Sequence, residues 1–301
     1  MRIAFTKCHG SGNDFPLIDA RELDLSDLEW AALARMLADR AGPVGGDGIL
    51  LLTQGDGERR LGFRMWNSDG TEAETCLNGL RCVARAGFEA LGIDVARVKL
   101  KTSSAEVARV EPIAAGVYSV RTQARAAMGI AATGPLSGLP SEREFIAVSL
   151  PNPHLIAFVD RVDEAELVAL GRWCEGAPAL LPDRANVSFV EMRDGNLFVR
   201  TFERGVGLTN ACGSAMAASV FAAASSGRVD WGREATVFNK GGLVRGSAAA
   251  DGMVTITGNA TFEWQGSIEV DLATGRTGPL EVTARRDHEV AAWNAAVAAI
   301  G

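Results

Sequence analysis

The chain has 301 residues, of which 47% are hydrophobic and 22% charged, with a net charge of −7. This composition supports one large or two medium domains with a sizeable core, and the acidic balance argues against a nucleic-acid partner, which would need a basic face. The opening MRIAFTKCHGSGNDF has no signal-peptide apolar stretch, and no window approaches the roughly 20 apolar residues of a membrane helix, so the expectation is a cytoplasmic protein with no membrane partner.

In chain order, Asp27–Ala41 reads as a helix, capped by Ser26 and ended by Gly42. A second helix is predicted over Leu77–Leu91, stopping at Gly92. Val98–Lys101 and Val117–Arg121 read as strands, and 122–144 as a connection. Phe145–Leu150 and Leu155–Val159 are strands, Glu164–Cys174 is a helix, and Val187–Val190 and Leu197–Phe202 are strands again. A helix from Gly213 to Ser226 stops at Gly227, and Val254–Thr257 is a strand. Asp287–Ile300 spaces Val290, Trp293, Val297 and Ile300 as an amphipathic helix would. Its expected role is packing, on the body or on a partner subunit. Many strands with a few isolated helices indicate an α+β fold.

Two halves repeat one order: strands, a polar glycine-containing loop, a cysteine, a helix. The likeness is of order rather than residue identity. The expected divisions are 1–121, 122–262 and 263–301, the last a return strand plus a C-terminal helical extension.

Five cysteines, Cys8, Cys76, Cys82, Cys174 and Cys212, are odd in number and widely spaced. That suits a reducing compartment rather than a disulfide framework. No C-x-x-C pair exists and the three histidines are scattered, so no metal is expected. Cys8, Cys82 and Cys174 read as small buried hydrophobes. Cys76 and Cys212 differ because each falls at a helix start, where free N–H groups and the helix dipole favour a thiolate and lower its pKa. The same N–H groups can cradle a carboxylate. Two such starts would hold one α-carboxylate and offer a sulfur to either face of its α-carbon, as stereo-inversion needs. Candidate donors to the developing charge are the N–H groups of Asn78, Gly79, Gly213 and Ser214. Gly45-Gly46-Asp47-Gly48 lacks the phosphate-loop lysine and reads as a tight turn. Pyridoxal phosphate would need a lysine, and Lys7, Lys99, Lys101 and Lys240 lie in no recognisable cofactor motif, so the expectation is no cofactor.

Lys7–Phe15 (KCHGSGNDF) resembles the opening of the diaminopimelate epimerases. So do Asn67-Ser-Asp-Gly70, Cys76-x-Asn-Gly-x-Arg-Cys82, Asn152-Pro-His154, Asn186-Val187, Glu203-Arg-Gly205 and Ala211-Cys-Gly-Ser214. The resemblance keeps its order from residue 7 to about residue 266. It implies two pseudo-symmetric domains, each a β-barrel-like sheet around a central helix, and a homodimer suits the family. It implies Cys76 and Cys212 as the catalytic pair, assisted by His154 and Glu203. Asn13, Asn67, Leu77, Asn78, Asn152, Asn186, Glu203, Arg204, Gly213 and Ser214 fall on substrate-binding positions. The implied reaction is epimerisation of L,L-diaminopimelate to the meso form, in lysine and peptidoglycan precursor synthesis. Leu77, Leu208, Pro151 and Pro43 depart from the family pattern. A racemase of another amino acid, or a binding homologue without turnover, stays open on the sequence.

Overall fold

The chain starts with a hairpin, β1 (Arg2–Gly10) and β2 (Asn13–Asp19), joined by Ser11-Gly12, which both have positive φ (52° and 82°). Two left-handed residues make the turn whose twist matches antiparallel strands. The computed structural model describes residues 1–74, 76–128, 138–150 and 152–299. After the hairpin come α1 (Asp27–Leu37), β3 (Gly48–Gln54), β4 (Leu61–Asn67), α2 (Leu77–Leu91), β5 (Val95–Lys99), β6 (Ser104–Val110) and β7 (Ser119–Arg125). The second half runs β8 (Ala127–Met128), β9 (Ile146–Leu150), β10 (Asn152–Phe158), α3 (Glu164–Glu175), β11 (Asn186–Arg193), β12 (Asn196–Glu203), β13 (Gly207–Thr209), α4 (Gly213–Ser225), β14 (Ala235–Asn239), β15 (Gly242–Ala248) and β16 (Met253–Asn259). Then β17 (Thr261–Asp271), β18 (Arg276–Arg285) and α5 (Asp287–Ala298) close the chain.

Two compact units result: 1–122 with 258–301, and 123–257. In the first, α2 packs on β1 to β6, and residues all round it are buried. In the second, α4 packs likewise on β9, β10, β11, β12, β14 and β15. Burial around so much of each helix, the two arginines of α2 included, marks both as core helices. Small residues let the strands come close: a Cβ on Gly79 would meet the Leu50 side chain at 2.6 Å, and six of the thirteen residues of α4 are alanine. The expected α+β class, a sheet around a central helix in each half, is what the chain adopts.

The duplication is carried by strand pairing. In the first unit β1 and β2 are antiparallel, β2 and β3 parallel, β3 and β4 antiparallel, β4 and β5 parallel, β5 and β6 antiparallel. In the second, β9 to β12, β14 and β15 repeat that series: antiparallel, parallel, antiparallel, parallel, antiparallel. Helices α1 and α3 fill the same place in each series, as do α2 and α4.

The predicted α2 holds to the residue, with Gly92 left-handed (φ 63°) at its end. Ser26 caps α1 through a capping box with Glu29, but α1 stops at Leu37, four residues short of the predicted Ala41. There the Asp39 carboxylate takes the Ala41 N–H at 2.9 Å, a side-chain turn that competes with the helix. β5 begins at Val95 and ends at Lys99, because Leu100 N–H turns back to Ser103 O at 3.0 Å. Much of the expected 122–144 connection lies at 129–137, outside the described residues, as do Pro151 and Ile300. The first part of that segment is strand β7 and the short β8.

α5 is pinned by two side chains. Glu289 is buried, takes Arg85 Nη1 at 2.5 Å and Nη2 at 2.8 Å, and accepts the Phe262 N–H. Burial opposes its charge, but Arg85 holds the carboxyl below its ordinary range. Trp293 is buried with its ring 5.6 Å from that of His9. Glu289→Ala would leave Arg85 buried with only Glu89 as acid partner. It is expected to cost about 3 kcal/mol in urea unfolding at pH 7.

Candidate active site

Cys76 is the N-cap of α2, with extended backbone (φ −148°). Its sulfur accepts the Gly79 N–H at 3.3 Å, and its S–H donates to Asn13 Oδ1 at 3.7 Å. A donated N–H favours the thiolate and an acceptor the thiol, and Cys76 has one contact of each kind. Gly79, expected to face a carboxylate, gives its N–H to the sulfur instead. By helix geometry the N–H groups of Leu77 and Asn78 have no partner within α2. The Asn78 side chain is buried, and its Oδ1 accepts from Arg81 Nη2 at 2.8 Å.

Arg81 is fully buried without a carboxylate. It donates to Asn259 O (3.0 Å), Leu77 O (3.3 Å), Ser11 Oγ (3.0 Å) and Asn78 Oδ1. Burial pushes it down to about 10, still a cation at neutral pH. Asn259 Oδ1 takes the Ser11 N–H at 2.7 Å, which holds the left-handed Ser11 in place. The turn so fixed delivers Asn13. Asn67 ends β4, its side chain donating to Thr71 Oγ1 at 3.0 Å.

Cys212 is the N-cap of α4 (φ −133°) and is buried. Its sulfur is 3.5 Å from Ser214 Oγ. The expectation of a lowered pKa fails here: burial, then the Glu203 carboxylate, push the Cys212 thiol well up. Ser214 Oγ–H and Ala215 N–H pull the other way and lose. Desolvation of a charge outweighs a helix terminus, so Cys212 rests as a thiol.

Glu203 ends β12, as Asn67 ends β4, and Asn152 begins β10, as Asn13 begins β2. His154 and Asn186 are opposed across the parallel β10–β11 pair, and both are buried. His154 Nε2 meets Asn152 Oδ1 at 3.0 Å, while its Nδ1 has no partner among the described residues. Asn186 Oδ1 accepts the Arg204 N–H at 2.9 Å, and its Nδ2 is likewise unpartnered. An acceptor and a donor left open in a buried place are what a ligand or water would satisfy. Arg204 Nη1 reaches Asp183 O at 3.0 Å. Gly213 and Ser214 open α4 with backbone N–H groups that no earlier turn can take. Among the described residues no three His, Cys, Asp or Glu side chains converge as a metal would need.

The family model described as diaminopimelate epimerase matches residues 5–111 and 146–263. The chain belongs to the diaminopimelate epimerase family. It is 37% identical over 290 residues to the diaminopimelate epimerase of Clostridium acetobutylicum, covering 90% of this chain and 87% of that one. It is 36% identical over 296 residues to that of Listeria innocua, covering 90% of each. In fold it is similar to a phenazine biosynthesis protein of the PhzF family from Bacillus anthracis, with a TM-score of 0.68, 13% identity, and coverage of 90% of this chain and 100% of that one. It is also similar to a hydroxyproline epimerase from Agrobacterium vitis, with a TM-score of 0.66, 14% identity, and coverage of 90% and 92%.

Of the departures from the diaminopimelate epimerase pattern, Pro43 and Leu208 are exposed, and Leu208 pairs with Phe202 in β13. Leu77 is buried at the first turn of α2. Cys8, Cys82 and Cys174 are buried; burial raises the Cys8 thiol and takes Cys174 to about 11. Within the first unit the structure brings Asn13 to Cys76, and within the second Glu203 and Ser214 to Cys212. The reading of the sequence missed Asp47 and Arg81. An aspartate inside a glycine turn, and an arginine on an otherwise apolar helix face, were the signals for them.

Burial, with Arg204 adding to it, pushes His154 down to about 3. A neutral histidine in the fold that charges when unfolded costs stability as pH falls below about 6.5. This contribution is absent at higher pH and grows until pH 3. Between pH 7 and pH 5 the wild type should lose about 2 kcal/mol more than His154→Gln, read from urea unfolding at each pH.

Proposed function

We propose that the chain epimerises diaminopimelate at one α-carbon, from L,L to meso, without a cofactor, with Cys76 and Cys212 as the two acid–base groups. The observation that carries this is the pair of N-cap thiols, one on each central helix, held in different protonation environments. One sulfur must remove the α-proton as thiolate while the other returns a proton to the opposite face as thiol. A buried Cys212 raised by Glu203 supports the thiol role at rest. Cys76, holding both a donor and an acceptor, supports exchange in either direction.

As the α-carbon loses its proton, charge moves onto the carboxylate. The backbone N–H groups of Leu77 and Asn78, and of Gly213 and Ser214, are fixed before the reaction and reorganise little during it. The distal end of the substrate carries a second amino-acid group. Arg204 offers it a planar donor for a carboxylate. Glu203 and the carbonyl oxygens of Asn13, Asn67 and Asn152 suit an ammonium, and the open Asn186 Nδ2 and His154 Nδ1 suit one of each partner. His154, neutral near pH 7, serves as a hydrogen-bonding group rather than a proton source.

The lysines support a reading without pyridoxal phosphate. Lys7 is tied to Asp14 and Gly45 O, and Lys99, Lys101 and Lys240 pair with Asp56, Glu72 and Glu164. A cytoplasmic homodimer feeding lysine and peptidoglycan precursor synthesis belongs to the same proposal. No described helix is long and apolar enough to cross a membrane.

The test is incubation in deuterated water with L,L-diaminopimelate and a panel of single-centre amino acids, under reductant and without added cofactor. Deuterium is expected at the α-carbon of diaminopimelate alone. Exchange confined to another amino acid would replace this substrate, and no exchange would leave a binding protein. Cys76→Ala and Cys212→Ala are each expected to abolish inversion, and full activity in either ends the two-thiol mechanism.

A further inference from the structure

Asp47 has no part in the chemistry above, yet it touches the side chain that touches Cys76. Asn13 Nδ2 donates to Asp47 Oδ2, and Asn13 Oδ1 accepts from Cys76 Sγ at 3.7 Å. A carboxylate paired with a guanidinium only accepts, so the amide nitrogen of Asn13 must face Asp47. The carbonyl oxygen is then the atom left for the sulfur. If the amide were reversed, an N–H would point at Cys76 and favour the thiolate.

Asp47 is itself held on several sides. Its Oδ2 takes the Asp14 N–H at 3.1 Å, and its Oδ1 takes Arg40 Nη2 at 2.7 Å. Arg40 also binds Asp14 Oδ1 at 2.7 Å, and Lys7 Nζ binds Asp14 Oδ2 and Gly45 O, each at 2.5 Å. Burial resists the Asp14 charge, but Arg40 and Lys7 hold its carboxyl low. The backbone behind Asp47 is fixed by Gly48, where any Cβ would overlap the Trp66 carbonyl oxygen. Arg81 on α2 lies close enough to Cys76 for their charges to couple, and Lys7, Asp14, Arg40 and Asp47 form one linked set of ion pairs that holds the Asn13 partner.

We propose that Asp47 is a positioning residue: it fixes the amide orientation of Asn13, so that Cys76 meets a carbonyl acceptor and keeps its thiol form accessible. The inference rests on Cys76 as a working acid–base group. Its test needs no turnover, so it stands or fails apart from the exchange experiment.

The experiment is iodoacetamide alkylation of the full chain across pH, with Cys76 followed by peptide mass spectrometry. Buried Cys8 and Cys82 in the same digest report that the fold is intact. Asp47→Asn, which frees the amide to turn, is expected to lower the pH midpoint of Cys76 alkylation by about half a unit, or roughly threefold in rate below the midpoint. In an Asn13→Ala background the same substitution is expected to add nothing, because its effect passes through Asn13. No shift in Asp47→Asn overturns the proposal. An equal shift in both backgrounds overturns it too, since that is loss of charge acting through space.

Discussion

A helix sealed along its sides by strands can offer chemistry only at its ends. Both α2 and α4 are sealed in this way, and each begins at a cysteine. Serine or aspartate at that position would spend its oxygen on capping the first turn. Sulfur caps weakly, so the terminus stays available while the backbone remains fixed by the surrounding strands. The rest of each unit follows from burying such a helix. Glycine and alanine appear where strands press close, and strand order repeats because two copies of one packing problem have one solution.

The two ends are built from the same parts and differ in electrostatics. At α2 the sulfur meets the Asn13 and Gly79 amides, with the buried Arg81 guanidinium deeper in the helix. At α4 the neighbours are a hydroxyl and the Glu203 carboxylate. Equal backbone geometry thus meets unequal surroundings at the two sulfurs. No periodicity in the sequence could reveal that, because Glu203 and Cys212 are brought together by the β12–β13 turn rather than by spacing.

Much of the frame was legible. Ser26 with Glu29, and Gly92 after Leu91, mark helix ends by local chemistry, and local chemistry is what a sequence displays. The early stop of α1 was not legible, since the Asp39 side chain takes the Ala41 N–H and competes with the next helical turn. The cysteines were legible by position and misread in strength at Cys212, where burial reversed the sign expected from a helix start. Asp47 was hidden inside a turn that reads as glycine alone. Its contact with Asn13 spans 34 residues, a distance closed by the β2–β3 pairing and by the Asp47 N–H bonded to Asp14 O.

The burial of Cys212 has a consequence for the cycle as a whole. In the proposed reaction, each turnover leaves the two sulfurs in exchanged protonation states. A thiolate at Cys212 would be buried beside Glu203, and both burial and that carboxylate disfavour it. On that mechanism, the Cys212 thiol is the form to which the pair returns after product leaves. Two equivalent sulfurs would keep a memory of the last substrate; on the proposed mechanism this pair would not.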